Sequence, residues 1–213
     1  DAYRLDFADV NNDGKDEIIV CWNTVSNSNS HSFVVYNLKF EDKKFEINQI
    51  NNDDFYLNNY VIVDFKQKGN NEILMFEINS GTKTSAKAEL YSVNNNEFKL
   101  KGETKLDSRV ISYRNINVEK AEGDIRVYAD AIGSNGDSIR TEVIYWSNMY
   151  NSIVSPFYSY STGRTSGTSR GCLVNSSDIN DDGRIEIPTD VSVKGLPKNV
   201  KPLNWKIYNK TIL

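Results

Sequence analysis

One acidic motif occurs twice in the chain, near its start at residues 9–17 and near its end at residues 178–186. Both copies read D-x-N-x-D-G-x-x-E, and each leads into an apolar, β-branched segment. Oxygen-bearing side chains at every second position can turn toward one centre when the backbone loops, and glycine permits the sharp turn. Oxygen ligands of this number and spacing favour calcium over other metals. The sequence therefore predicts two calcium ions, one in each loop.

The predicted ligands at both sites are four side chains and one main-chain carbonyl oxygen. At the first site they are Asp9, Asn11, Asp13 and Glu17, with the carbonyl of Lys15. At the second site they are Asp178, Asn180, Asp182 and Glu186, with the carbonyl of Arg184.

Other interpretations of the motif are an EF-hand, a dockerin module, which fails on the same grounds as the EF-hand, and a plain acidic turn. An EF-hand requires a bidentate glutamate at loop position twelve and a helix on either side, whereas position twelve is Val20 in one copy and Thr189 in the other. A plain acidic turn is the remaining alternative, because Asp, Asn and Gly are also the commonest turn residues. Recurrence of the motif at five matching positions favours metal binding.

The composition predicts an all-β protein. Hydrophobic residues make up 38% and charged residues 25% of the 213-residue chain, which indicates a globular rather than a disordered protein. Aromatic and β-branched residues occur in short runs separated by Asn, Ser, Gly and Asp, a pattern typical of strands and turns. No segment of useful length has helical periodicity.

A weaker copy of the motif reveals a repeat of about 55 residues. Asp64, Gly69 and Glu72 each lie 55 positions after their equivalents in the first motif, but Lys66 and Lys68 replace the Asn and Asp ligands. Ammonium groups cannot coordinate calcium, since they carry donors and no acceptor. This loop is therefore predicted to keep the backbone turn and to bind no metal.

The repeat extends through the whole chain, at residues of about 1–54, 55–108, 109–160 and 161–213. Each unit is predicted to contain four antiparallel strands, the composition of a propeller blade. We expect residues 1–213 to be a single β-propeller domain of about four blades, or part of a larger propeller, with calcium loops in the first and fourth blades.

The two motifs resemble the FG-GAP or VCBS-type repeat of integrin-like β-propellers. The I-E-I-P-T segment after the second motif and the later W-K-I-Y resemble repeats in secreted lipoproteins of low-GC Gram-positive bacteria. The resemblance implies a calcium-stabilised module at an extracellular or cell-surface location that binds a protein or glycan ligand. It allows a lipid anchor in an N-terminal part preceding residue 1.

The sequence argues against several other functions. Net charge is −4 and the basic residues are scattered, so nucleic acid is not expected as a partner. No apolar run is long enough to span a bilayer. The single histidine, His31, lies in a Ser/Asn-rich segment, and no nucleophile or phosphate-binding motif is present. We expect that the protein is not an enzyme. The alternatives are a polysaccharide-acting enzyme or its accessory domain, and a purely structural envelope protein.

Residues 156–171 are the longest irregular stretch of the sequence. Tyr158, Tyr160, Arg164 and Arg170 in this stretch are candidates for stacking on a sugar or holding a carboxylate. The favoured alternative is a flexible connection between blades that contains part of a strand, because Gly/Ser/Thr-rich segments are usually loops or linkers.

The two cysteines lie beside the two motifs. Cys21 follows the first and Cys172 precedes the second, so neighbouring first and last repeats could join them in a disulfide. The favoured interpretation is two small buried residues without a bond.

Overall fold

All regular structure in the described residues is β-strand. The computed structural model describes residues 2–24, 27–50, 55–78, 86–121, 124–191, 194 and 202–207. Seventeen strands lie in this part of the chain, and every strand pair is antiparallel. The same residues contain no helix long and apolar enough to cross a membrane. The prediction of an all-β protein is confirmed.

The first sheet, which we call sheet I, is a meander of four strands with a short fifth. Its strands are β1 (Ala2–Ala8), β2 (Glu17–Thr24), β3 (Asn27–Glu41), β4 (Lys44–Gln49) and β5 (Phe55–Leu57). The order is β1-β2-β3-β4, and β5 pairs with the N-terminal part of β3. Asp42 and Lys43 connect β3 to β4 with φ angles of 52° and 63°, the mirrored turn geometry that matches the strand twist.

The next two sheets are meanders of four strands each. Sheet II contains β6 (Asn59–Val63), β7 (Glu72–Glu77), β8 (Lys87–Asn94) and β9 (Glu97–Lys105). Sheet III contains β10 (Val110–Ala121), β11 (Asp124–Gly133), β12 (Ile139–Ser147) and β13 (Ser152–Val154). The Asn95–Asn96 turn between β8 and β9 also has both φ angles positive, at 50° and 61°. Three successive repeats therefore fold as predicted, into antiparallel sheets built on four-stranded meanders.

The last repeat differs from the prediction of four strands. The described residues form a small hairpin, β14 (Tyr158–Ser159) with β15 (Arg164–Thr165), and a two-stranded sheet IV, β16 (Glu186–Asp190) with β17 (Leu203–Ile207). The segment that enters the second acidic motif is no strand, since only an isolated bridge joins Ser177 to Glu186. The described strands form no closed barrel or ring.

Apolar clusters join the sheets in chain order. The cluster between sheets I and II includes Ile19, Val35, Tyr60, Ile73 and Met75. The cluster between sheets II and III includes Leu74, Phe76, Leu90, Val127 and Ile144. The cluster between sheets III and IV contains Tyr128, Val143, Ile185 and Ile187, with Phe157 packed against it. Consecutive residues of one strand therefore pack against different neighbouring sheets, as Ile73 packs toward sheet I and Leu74 toward sheet III.

The two cysteines are not bonded to each other. Cys21 is buried in the cluster between sheets I and II, and Cys172 is half-buried. The favoured interpretation of two unbonded thiols agrees with the structure, although only Cys21 is a core residue.

Candidate metal loops and a buried charge network

Three loops share one backbone conformation. We call residues 9–17, 64–72 and 178–186 loops A, B and C. At the fourth position of the loops, Asn12, Gln67 and Asp181 have φ angles of 61°, 50° and 59°. At the sixth position, Gly14, Gly69 and Gly183 have φ angles of 86°, 75° and 83°. The prediction that the lysine-bearing loop B keeps the backbone turn is confirmed.

The aspartate at the first position closes each turn. Its Oδ2 accepts the backbone N–H five residues later: Gly14 to Asp9 at 2.9 Å, Gly69 to Asp64 at 2.6 Å, and Gly183 to Asp178 at 2.7 Å. Because loop B makes this hydrogen bond with lysines at two ligand positions, the turn is encoded by the aspartate and the glycine. The remaining side chains are then available to determine what the loop binds.

In loop A the predicted ligands converge on the loop interior. The Asp13 N–H donates to Asp9 Oδ1 at 3.0 Å and to Asn11 Oδ1 at 2.9 Å, and Lys15 N–H donates to Asp13 Oδ1 at 2.9 Å. The Asn11 amide nitrogen contacts two carboxylates, Asp13 Oδ2 at 3.3 Å and Glu17 Oε1 at 2.8 Å. Those two oxygens therefore face one another across a short gap.

Loop C repeats this arrangement. The Asp182 N–H donates to Asp178 Oδ1 and to Asn180 Oδ1, both at 3.1 Å, and Arg184 N–H donates to Asp182 Oδ1 at 2.9 Å. The Asn180 amide nitrogen lies 3.2 Å from Asp182 Oδ2. The two motifs thus match in side-chain direction as well as in sequence.

The glutamate at the ninth position is buried beneath each loop. Glu17 is 1% exposed, and its Oε2 accepts the N–H of Val10 at 3.0 Å and of Asn11 at 3.2 Å. Burial raises the pKa of Glu17; the two N–H donors lower it, and the charges of Asp13 and Asp9 raise it, so the net direction is upward. A cation in the loop would favour the charged form of this carboxyl, which the neighbouring aspartates disfavour.

The donor set of both loops fits calcium. Every predicted ligand offers oxygen, and Asp13 Oδ2 and Glu17 Oε1 lie within 3.3 Å of one atom, the Asn11 amide nitrogen. Calcium needs six to eight oxygens at roughly 2.3–2.6 Å, from carboxylates, amides and main-chain carbonyls. Within the described residues, no three His, Cys, Asp or Glu side chains form a metal-binding group by themselves. A bound ion would therefore need the amide and carbonyl oxygens in addition to the carboxylates.

Loop B places lysines around its buried glutamate. Glu72 is 8% exposed. Burial raises the pKa of this carboxyl, the ammonium groups of Lys101 and Lys66 lower it, and Asp64 raises it, with a net upward direction. Lys66 also lies over the ring of Trp146, with its Nζ 4.0 Å from the centroid. Side-chain ammonium groups thus supply positive charge beside the acids of loop B.

Loops A and C are each fixed to a neighbouring sheet or loop. Asn71 of loop B donates its N–H to Asn12 Oδ1 at 2.8 Å and its side-chain amide to the Asp9 carbonyl at 2.9 Å. The Ile185 N–H of loop C donates to Glu119 Oε2 of β10 at 2.8 Å. A change of geometry in either loop would therefore reach the adjacent repeat.

The candidate ligand residues of 156–171 do not all share one surface. Tyr158 and Tyr160 form an edge-to-face pair with centroids 5.2 Å apart, Tyr160 is 76% exposed, and Arg164 is exposed on β15. Arg170 is only 1% exposed and is therefore unavailable to a surface ligand. Of the four candidate ligand-binding residues, only Tyr158, Tyr160 and Arg164 can contact a surface ligand.

Arg170 belongs to a buried network around Asp130, which the sequence analysis missed. Asp130 of β11 is fully buried, and its Oδ1 lies 3.0 Å from the Arg170 guanidinium and accepts the Thr141 hydroxyl at 2.7 Å. Its Oδ2 accepts the backbone N–H of Ser176 at 2.7 Å and the Asn115 amide at 3.0 Å. The only signal in the sequence is an aspartate inside an apolar strand.

A second buried group joins β12 to the same segment. Glu142 Oε1 accepts the Thr165 hydroxyl at 2.6 Å and the Asp107 N–H at 3.0 Å. Asp107 pairs with Arg140 at 2.8 Å. Burial opposes ionisation of Asp107, but hydrogen bonds from Arg109 and other donors outweigh it and lower the pKa of Asp107 to about 2. Residues 156–171 thus contain a short hairpin and are bonded to the interior of sheet III, rather than forming a free connection.

Comparisons of the chain with protein-family models, curated proteins and solved structures found no match. The family resemblance rests on the two motifs and stays a prediction.

Replacing the loop glycines by alanine should destabilise all three loops by a similar amount. A Cβ at Gly14, Gly69 or Gly183 would meet no heavy atom within 4 Å, so the cost is that of the left-handed backbone alone, about 1 kcal/mol. Urea unfolding of the three single variants in chelator should give three similar losses. A negligible loss for Gly69→Ala alone would mean that loop B does not hold the common turn in solution.

Asp130→Ala should cost roughly 3–5 kcal/mol of unfolding free energy, because it leaves the buried Arg170 guanidinium without its charge partner. Asp137→Ala, on the exposed turn of the neighbouring β11–β12 hairpin, is the matched control and should change stability little. Chemical denaturation measures both. Equal effects of the two substitutions would contradict the proposed importance of the buried pair.

Proposed function

We propose that the protein is a calcium-stabilised β-propeller module of the FG-GAP or VCBS type, or part of one, that binds a protein or glycan outside the cell and is not catalytic. The observation that carries the proposal is the match between loops A and C. They share the nine-residue motif, two left-handed backbone positions, and the same two hydrogen bonds from the N–H of position five to the side-chain oxygens of positions one and three.

The sheet arrangement supports the propeller part of the proposal. Propeller blades are four-stranded antiparallel sheets, each packed against the next. Sheets I, II and III each contain such a meander, and apolar clusters join them in chain order. Sheet IV, which carries loop C at its start, continues the series through the cluster around Tyr128 and Ile187.

Calcium would act locally and structurally. Asp9, Asp13 and Glu17 place three carboxylates in and beneath loop A, and an ion shared among them would replace their mutual repulsion by attraction. Such binding adds stability by mass action. Extracellular calcium modules bind with dissociation constants on the order of 10⁻⁴–10⁻³ M, which suits a cell-surface location where calcium is plentiful.

The exposed tyrosines indicate where a ligand could bind. Tyr160 presents its ring to solvent beside Tyr158, Lys105 lies 5.9 Å from the Tyr160 centroid, and Arg164 is exposed nearby in sequence. Aromatic rings with adjacent cations suit a sugar face or an acidic group. The proposal assigns this surface to ligand binding and assigns Arg170 to the interior.

Calorimetric titration of chelator-treated protein should give two calcium equivalents. Asp13→Ala and Asp182→Ala should each remove one equivalent, whereas Asp64→Ala, at the equivalent of Asp9 in loop B, should leave both. The melting temperature of the native chain should rise with added calcium. If Asp13→Ala or Asp182→Ala still binds two calcium equivalents, the corresponding loop is not a calcium site. If Asp64→Ala loses an equivalent, the proposal that loop B binds no metal is wrong.

Loop B should become a calcium site when its two lysines are replaced. Lys66→Asn with Lys68→Asp restores the ligand types of loop A on a backbone that already has the required turn, so the titration should show a third equivalent. Lys15→Ala is the control, because Lys15 is proposed to bind through its carbonyl and should be replaceable without loss. If the double variant binds only two calcium equivalents, the backbone turn and the ligand types are not sufficient to create a calcium site.

A further inference from the structure

One face of sheet I is apolar and exposed. We call it the outer face. Leu5 of β1 is 54% exposed and Phe7 is 60% exposed, while Phe45 and Ile47 of β4 are 73% and 62% exposed. Strand pairing places Phe40 of β3 opposite Phe45, on the same side. The opposite face of the sheet packs against sheet II, so only the outer face lacks a covering layer among the described residues.

The equivalent residues of the other repeats show what packs against the corresponding face of their sheets. Ile62 and Ile73 of sheet II lie 55 positions after Phe7 and Ile18, and both pack against sheet I. Val127 of sheet III lies 54 positions after Ile73 and packs against sheet II in the same way. The outer face of sheet I is thus built from the residues that, in the other repeats, pack face to face with another sheet.

The outer face also extends further than this stacking requires. In sheet II the β8–β9 hairpin pairs last at Asn94 and Glu97, and Asn94 is the equivalent of Lys39 in sheet I. Phe40 and Phe45 lie beyond that point, with ring centroids 4.7 Å apart. A sheet with the strand lengths of sheet II, stacked in the same register, would end before these two aromatic rings, which favours a partner that covers the whole outer face.

A second copy of the chain meets this requirement. Eight of the fifteen large hydrophobic side chains exposed among the described residues belong to sheet I, and the other seven are spread over β9, β10 and the segments after β12, so the largest matching set on another copy is the same sheet. The described side chains of the outer face are uncharged, so identical faces can meet without like-charge repulsion. Exposed apolar patches of several hundred Å² mark interaction sites.

We infer that the protein self-associates through the outer face of sheet I, with two copies packed sheet to sheet about a two-fold axis. A two-fold interface uses the same patch on both subunits, and twisted sheets pack about 10 Å apart with strands inclined by about 30°. Loop A connects β1 to β2 at one end of sheet I, but none of the outer-face residues named above is a proposed calcium ligand, and the inference does not depend on calcium.

Sedimentation equilibrium of the full chain tests the inference. The mass should rise with concentration from 24.2 kDa toward twice that value. Phe7→Glu and Phe45→Glu should each weaken the dimer roughly 100-fold or more, because each buries a charge in an apolar interface. Met149→Glu, at an 83% exposed residue of the β12–β13 turn, is the matched control and should dimerise normally. A monomer at every concentration, or dimers unaffected by the sheet I variants, would overturn the proposal.

A second measurement uses only the native chain, so a misfolded variant cannot confuse the result. Trp22 of β2 is 41% exposed and lies on the outer face, two residues after Val20, the strand partner of Leu5. Hydroxyl-radical footprinting should show Trp22, Phe45 and Phe7 protected at high concentration and labelled on dilution, while Met149 is labelled equally at both. Repeating the experiment in chelator separates the dimer from the calcium proposal, since protection should persist there. Concentration-independent labelling of the three outer-face residues would contradict the inference.

Discussion

The structure depends on burying both faces of its sheets. A β-strand alternates its side chains, so a sheet covered on one side only can be half polar, whereas a sheet between two others must be apolar on both sides. Strand β7 shows the second case, with Glu72 to Phe76 all buried, Ile73 toward sheet I and Leu74 toward sheet III. Sheets II and III hold this central position, and sheet I is also apolar on both faces, although only one of them is covered among the described residues.

The loops separate two tasks that one motif usually combines. The carboxylate-to-glycine hydrogen bond sets the turn in loops A, B and C alike. The side chains at the third, fifth and ninth positions then determine the charge inside it. Near loop B the positive charges of Lys66 and Lys101 favour ionisation of the buried Glu72, whereas loops A and C present further oxygens. A repeat protein can in this way retain a turn while changing what the turn holds.

Local patterns in the sequence predicted the parts of the structure that local interactions determine. The strands of the first three repeats follow from alternation and turn residues, and the loop geometry follows from the spacing of aspartate and glycine. The role of Arg170 was not predictable, because its partner Asp130 lies 40 positions earlier and no periodicity links them. The prediction of four strands in the fourth repeat was wrong for the same reason, since Ser176 is hydrogen-bonded to Asp130 and Asn117 of sheet III, which lie far away in the sequence.

The position of Asp130 also imposes an order on assembly. Apart from the short β5, which pairs with β3, sheets I and II pair strands that are adjacent in the chain, so their meanders can form as soon as each is synthesised. The carboxylate of Asp130 must keep its hydration until Arg170 and Ser176 have emerged, because a desolvated charge without a partner is costly. Sheet III therefore cannot bury Asp130 until the residues that follow the sheet in the chain have been synthesised. A truncation placed before Arg170 would leave two sheets joined and the third unable to bury its far side.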